Sequence, residues 1–322
     1  MIKIKDNWNK LLKDYNIKEL QFFEEYSKLY GDSKIFFKEK NGDLIFLIIL
    51  INEKYRDFET PYGYGSFYSS KKDKNFTEPF FEEVFKILKD KGLIAGLIRF
   101  NPFFPKIESG LFQIEYVRDV FYIDLFENYM DDFKSSVRNK INVAKKKNFL
   151  ISEKKDEEEF LKFYEIYNDM IEKKNGRDFL KFSEKYFIGL KNIDFSYILN
   201  SYRDGKYFGG SIFLIREGFN SYYHLSSVLR NEMTKGLSNL LLYRGCELSK
   251  NLGSERMILG GGTKEGKDGL TEFKRSFTKK SKPFYIGKVL LDKKRYDELV
   301  EKYDSMSGNG EKLFLRYREI LG

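Results

Sequence analysis

The stretch "SYYHLSSVLRNEMTKGLSNLLLYRG" (residues 221–245) decides how this chain is to be read. Its start lies in a strand expected over 219–227, and a polar turn ending in Lys235-Gly236-Leu237-Ser238 opens an apolar helix over about 235–250. A glycine turn at a helix N-terminus presents free N–H groups and the positive end of the helix dipole, a cradle that suits a phosphate. An ordinary helix cap accounts for the same residues. His224 stands on the strand just before this turn, as a packed strand residue or as a general base.

Upstream, strands are expected at 195–202 and 207–216, turned by Asp204-Gly205. Downstream comes the strand "RMILG" and then "LGGGTKEGKDGLTEFKRSF" (259–277), in which three glycines lead to a short helix near 269–277. "PFYIGKVLL" closes the sheet and two helices finish the chain.

The first half repeats this order. An amphipathic segment runs from Trp8 to about Tyr30, and "IFFKEKNGDLIFLIILI" reads as a hairpin around Asn41-Gly42, a pair suited to a type I′ turn. "ETPYGYGSFYSS" (59–70) is a glycine-aromatic loop in which Tyr62 and Tyr64 offer hydroxyls and stacking faces, or simply staple the loop. A helix over 77–92, with Thr77 as N-cap and Gly92 as stop, precedes the buried strand "LIAGLIRF". Two strands are expected in "FQIEYVRDVFYIDL" (112–125). A long basic helix follows over about 127–147, with Phe133, Val137, Ile141 and Ala144 as its apolar stripe and Lys134, Arg138 and Lys145 on another face. Helices at about 156–174 and 182–190 complete the elements. The pattern is a duplicated, mixed α/β unit, with domains expected at 1–145 and 146–322.

Composition bounds the function. Over 322 residues, 41% are hydrophobic and 17% aromatic, which supplies a large core, while 33% charged residues keep the surface wet. A net charge of +9 favours anionic partners, or reflects no more than a lysine-rich surface. One cysteine rules out an intrachain disulfide and, with a polar start "MIKIKDNWNK" and no apolar run of about 20 residues, points to the cytoplasm. One His and one Cys cannot build a zinc cage from those ligands, and no G-x-S-x-G elbow serves a nucleophilic serine. The series Gly261-x4-Gly266-Lys267 approaches a P-loop, but Asp268 stands where Ser or Thr must bind magnesium.

"TPYGYG", "VRNKINVAKKKNF" and "YYHLSS…GLSNLLLYRGCELSKNLG…LGGGT…GLTEFKRSF" together resemble the FemABX-type acyltransferases, in the double-domain branch of the GNAT superfamily. The resemblance runs from about residue 40 to 290. It implies an α/β fold with largely antiparallel sheets, built as two tandem GNAT-like domains packed side by side. It implies transfer of an acyl or aminoacyl group to an amine, with acyl-coenzyme A or aminoacyl-tRNA as co-substrate, no resident cofactor and no metal. The implied acceptor is a cell-envelope precursor, UDP-linked or lipid-linked, bearing an amino sugar or peptide lysine. Contact with tRNA and with the inner membrane face would accompany such substrates.

Phe273-Lys274 matches the family pair beside the reacting carbonyl, so Lys274 would stabilise the oxyanion. Arg138 and Lys145 match positions that meet anionic substrate groups, and Gly260, Gly261 and Gly262 would bring the strand backbone close to the reacting centre. Met233 and Ser238 depart from the GNAT pyrophosphate motif, which puts Gln or Arg and Gly or Ala at those positions. The competing readings are a non-enzymatic protein that binds RNA or another anionic ligand, and a P-loop-like nucleotide-binding protein.

Overall fold

The computed structural model describes residues 1–65, 67–105, 107–126, 128–173, 181–262, 268–307 and 313–320. The chain divides into two compact units. One holds Met1–Ile17, Gln21–Val117 and the segment from Pro283 onward; the other holds Lys18–Leu20 and Arg118–Lys282.

The first unit opens with β1 (Lys3–Lys5), α1 (Asn9–Asp14) and α2 (Glu24–Lys28). The amphipathic segment expected from Trp8 to Tyr30 is therefore broken, beginning at Asn16, whose φ of 50° no helix accommodates. β2 (Ser33–Lys40) and β3 (Asp43–Asn52) form the expected hairpin, with Asn41 and Gly42 at φ of 53° and 82°. Positive φ at both central residues is what a type I′ turn requires. Both β4 (Asp57–Glu59) and β5 (Phe67–Ser69) pair with β3, antiparallel. The chain then crosses through α3 (Lys74–Asp90) and returns as β6 (Ala95–Arg99), parallel to β4. α3 starts ahead of the expected Thr77 cap, because the Asp73 carboxylate accepts from Asn75 N at 3.0 Å and caps it. Ile45, Leu47 and Ile49 bury one face of β3 in a cluster with Phe58, Phe80, Phe81 and Val84.

The second unit repeats the plan. β7 (Gln113–Asp124), one strand where two were expected, enters it from Arg118 onward. α4 (Ser135–Lys145), β8 (Leu150–Ser152), α5 (Glu157–Lys173) and α6 (Glu184–Lys191) precede a meander of β9 (Ser196–Arg203), β10 (Lys206–Leu214) and β11 (Asn220–Val228). Residue 174, the expected end of α5, lies outside the described residues. The chain crosses through α7 (Leu237–Asn251) and returns as β12 (Arg256–Gly261), parallel to β11. α8 (Gly269–Phe277) follows, then β13 (Ser281–Leu290) and α9 (Lys293–Ser307). The basic helix expected over 127–147 is shorter, since Tyr129–Asp132 forms a separate 3-10 turn before α4.

Each unit takes its last strand from a distant part of the chain. β12 pairs with the Val120–Asp124 end of β7, antiparallel, and β6 pairs with β13, antiparallel. The expected boundary at 145/146 therefore does not coincide with where the units part. α4 lies wholly in the second unit: Val137, Ile141 and Ala144 pack in one core with Leu237, Leu240 and Leu241 of α7. That contact needs a glycine, because a Cβ on Gly236 would stand 2.4 Å from the Lys140 carbonyl oxygen. Among the described residues no helix is long and apolar enough to cross a membrane.

Candidate active site

In the second unit, β12 ends in glycines that admit a close approach by neighbouring side chains. Gly260 has φ of 79° and sits at a register shift against β7, a bulge that turns the strand end. A Cβ on Gly261 would lie 2.3 Å from Arg118 Cδ, and one on Gly262 would lie 1.7 Å from Thr271 Oγ1. The carbonyls of these residues are gripped in turn. Lys274 Nζ donates to Gly261 O at 2.5 Å, and Arg118 Nη1 donates to Gly262 O at 2.6 Å.

α8 delivers Lys274. Its N-cap Asp268 accepts from Leu270 N at 2.9 Å and Thr271 N at 3.1 Å, and also from Thr271 Oγ1. The residue that fails the P-loop pattern is thus a helix cap, whereas Gly266 and Lys267 lie outside the described residues. Phe277 anchors the far end of α8 in the core, and Phe273, partly buried, meets it edge-on at 5.2 Å between ring centres. Lys274, in the second turn of the helix, is only 6% exposed. Burial pushes its ammonium down to about 7, the charge of Arg118 adds to the fall, and Asp268 opposes it. Lys274 is therefore not the permanently charged group that the sequence suggests, but one poised between its two forms at neutral pH.

His224 is half-buried on β11, and its Nε2 lies 2.6 Å from Tyr186 Oη of α6. Burial pushes its pKa down to about 4, so the ring is neutral at pH 7 and a weak proton acceptor. The start of α7 keeps its donor character: Leu237 N bonds Thr234 O, while among the described residues the N–H groups of Ser238 and Asn239 have no backbone partner. Lys147 Nζ donates to the carbonyls of Glu232, Met233 and Lys235 and fixes the turn.

The remaining expected residues are engaged locally. Arg138 Nη1 donates to Phe133 O at 2.5 Å and Met130 O at 3.3 Å, satisfying carbonyls before α4. Lys145 is exposed with its ammonium 4.4 Å from the ring centre of Tyr243. Tyr62 and Tyr64 belong to the first unit, both partly exposed; Tyr26 Oη donates to Tyr62 O at 2.8 Å, and Tyr64 meets Phe284 edge-on at 5.2 Å. The structure thus gathers Lys274 and the glycines at the end of β12, whereas Phe273 packs on Phe277. It adds Arg118 and Thr271, which the sequence reading missed. Arg118 shares its strand face with the fully buried Val120, and a charge at such a position of a strand was the available signal.

No protein-family model and no curated protein matches this sequence. Solved structures do share its fold. FemX superposes with a TM-score of 0.69 over 92% of this chain and 99% of its own, at 14% identity. L-PGS from Bacillus licheniformis gives 0.59 over 87% of this chain and 91% of its own, at 13% identity. A tandem GNAT protein from the clavulanic acid biosynthesis pathway gives 0.51 over 80% and 83%, at 9% identity. The chain has the mixed α/β fold of FemX and the tandem GNAT proteins, the fold that its sequence motifs imply.

Proposed function

We propose that this protein is an N-acyltransferase that moves an acyl or aminoacyl group to the amine of a cell-envelope precursor. The observation that carries the reading is Lys274: a buried lysine in the second turn of α8, its ammonium on the backbone carbonyl of Gly261, in a fold shared with FemX. A lysine so placed is costly to keep unless its charge is used.

In this reading an acceptor amine attacks the carbonyl of a thioester or ester directly. The nitrogen–carbon bond forms as the carbonyl π electrons move to oxygen, and Lys274 donates to the resulting oxyanion. The amine proton leaves to His224 or water, and collapse expels the thiolate of coenzyme A or the ribose oxygen of tRNA, which takes up a proton from that same carrier to become the hydroxyl. Positioning supplies much of the acceleration, which needs no covalent enzyme intermediate. The donor's phosphates are assigned to the N-terminus of α7, over Lys235, Gly236, Leu237 and Ser238. In the second unit, Arg138, Lys145 and Phe273 are assigned to the acceptor, with the two cations meeting phosphate. The enzyme is expected to work in the cytoplasm.

Lys274→Ala tests the reading. Acyl transfer from acetyl-coenzyme A or aminoacyl-tRNA to amine acceptors should fall by about a hundredfold or more in kcat, with the circular dichroism spectrum unchanged. Turnover near that of the parent protein would overturn it.

A further inference from the structure

Arg118 and Lys274 hold consecutive carbonyls, those of Gly262 and Gly261, and so bring two cations onto neighbouring oxygens. Their charges repel, which is one cause of the lowered basicity of Lys274. A carbonyl dipole accepts a hydrogen bond but does not neutralise a cation. Asp268 opposes the repulsion from α8, with its oxygens already accepting from Leu270 N, Thr271 N and Thr271 Oγ1. Among the described residues, one carboxylate thus acts on Lys274 against the charge of Arg118.

Arg118 shows a second imbalance. Its Nε is buried and has no hydrogen-bond partner among the described residues, although Nη1 of the same guanidinium is bonded. Buried donors left unpaired are uncommon and cost stability. The Nε edge of a guanidinium is one of the two faces that grip a pair of oxygens on a carboxylate or phosphate.

We propose that Arg118 and Lys274 form one anion-holding site, in which the Nε edge of Arg118 receives the oxygens of a carboxylate or phosphate borne by the ligand. The inference rests on the acyl-transfer reading for the identity of that ligand, since Lys274 is shared, but its own basis is Arg118. It narrows the substrate class: a donor or acceptor with an anionic group close to the carbonyl that reacts. Binding of that group adds negative charge beside the two cations and favours the charged form of Lys274, ready for the oxyanion.

Isothermal titration calorimetry of the full chain tests it, with sodium phosphate and sodium acetate as probes against sodium chloride at equal ionic strength. One or both probes should bind saturably, and their ranking distinguishes phosphate from carboxylate. Arg118→Gln should weaken the preferred anion by about tenfold to a hundredfold, the worth of one lost charge-assisted bond. Arg118→Lys keeps the charge but not the fork, and should weaken it by about tenfold; it carries the test if the glutamine variant fails to fold. No binding beyond chloride, or unaltered affinity in the variant that folds, overturns the proposal. Failure here with activity still lost in Lys274→Ala leaves the acyl-transfer reading standing, whereas full activity in Lys274→Ala removes that reading whatever Arg118 binds.

Discussion

Replacing Lys274 by methionine should make the empty protein more stable while removing its activity. In the unfolded chain the ammonium keeps a pKa near 10.5, whereas in the folded protein burial and Arg118 bring it down to about 7. Between these values the unfolded state binds the extra proton, so stability rises with pH across that window. At about 1.4 kcal/mol for each pH unit, the folded protein at pH 7 carries a burden of roughly 5 kcal/mol relative to pH above 10.5. Methionine removes the charge at nearly constant length but leaves Gly261 O without its donor, which returns about 1–3 kcal/mol. The net expectation is a gain of about 2–4 kcal/mol at pH 7. Urea unfolding of both proteins at pH 7, 8.5 and 10 measures it, and titrations common to the two cancel in the difference. The advantage of the variant should shrink steadily as pH rises. A variant no more stable at pH 7, with a difference indifferent to pH, would refute the electrostatic account of Lys274.

Three other perturbations probe separate parts of the molecule. His224 is depressed from 6.5 to about 4 by burial, so the parent protein should lose roughly 3 kcal/mol as pH falls from 6.5 to 4. His224→Gln should flatten that loss in denaturant midpoints taken at pH 4, 5 and 7. Gly236→Ala meets both a φ of 87° and the Lys140 carbonyl, and should cost at least about 2 kcal/mol by urea unfolding. In the first unit, buried Asp57 accepts from Tyr317 Oη at 2.8 Å and Arg318 Nη2 at 2.7 Å, while Arg318 and Arg99 overcome the desolvation of Glu59 and bring it down to about 2. Asp57→Ala should cost about 3–5 kcal/mol and expose the segment after Leu313 to proteases; unchanged digestion would count against that anchoring.

Much of the fold was legible because its signals are local. Asn41-Gly42 and Asp204-Gly205 each join two β-rich runs, and both turns have positive φ at both residues, so the hairpins follow from the pairs alone. The crossover helices announce themselves by apolar spacing. What stayed hidden depends on distant partners. Nothing around Val120 or Val289 says that one pairs with β12 and the other with β6. Asp73 displaced Thr77 as a cap because both residues suit that role. At the candidate site, Lys274 was legible through its neighbours in "TEFKRSF", but its low basicity was not, since that arises first from burial in the folded protein and then from Arg118, far away in sequence.

The origin of β13 bears on how the protein is made. Residues up to 117 leave the ribosome long before Ser281–Leu290, yet β6 waits for that strand along one side. The second unit, nearly continuous from 118 to 282, can consolidate first while the earlier-made portion keeps an unpaired strand flank. Such a flank invites pairing with other nascent chains. Chaperone demand during translation, and aggregation of fragments ending before residue 281, are therefore built into the order in which this polypeptide is synthesised.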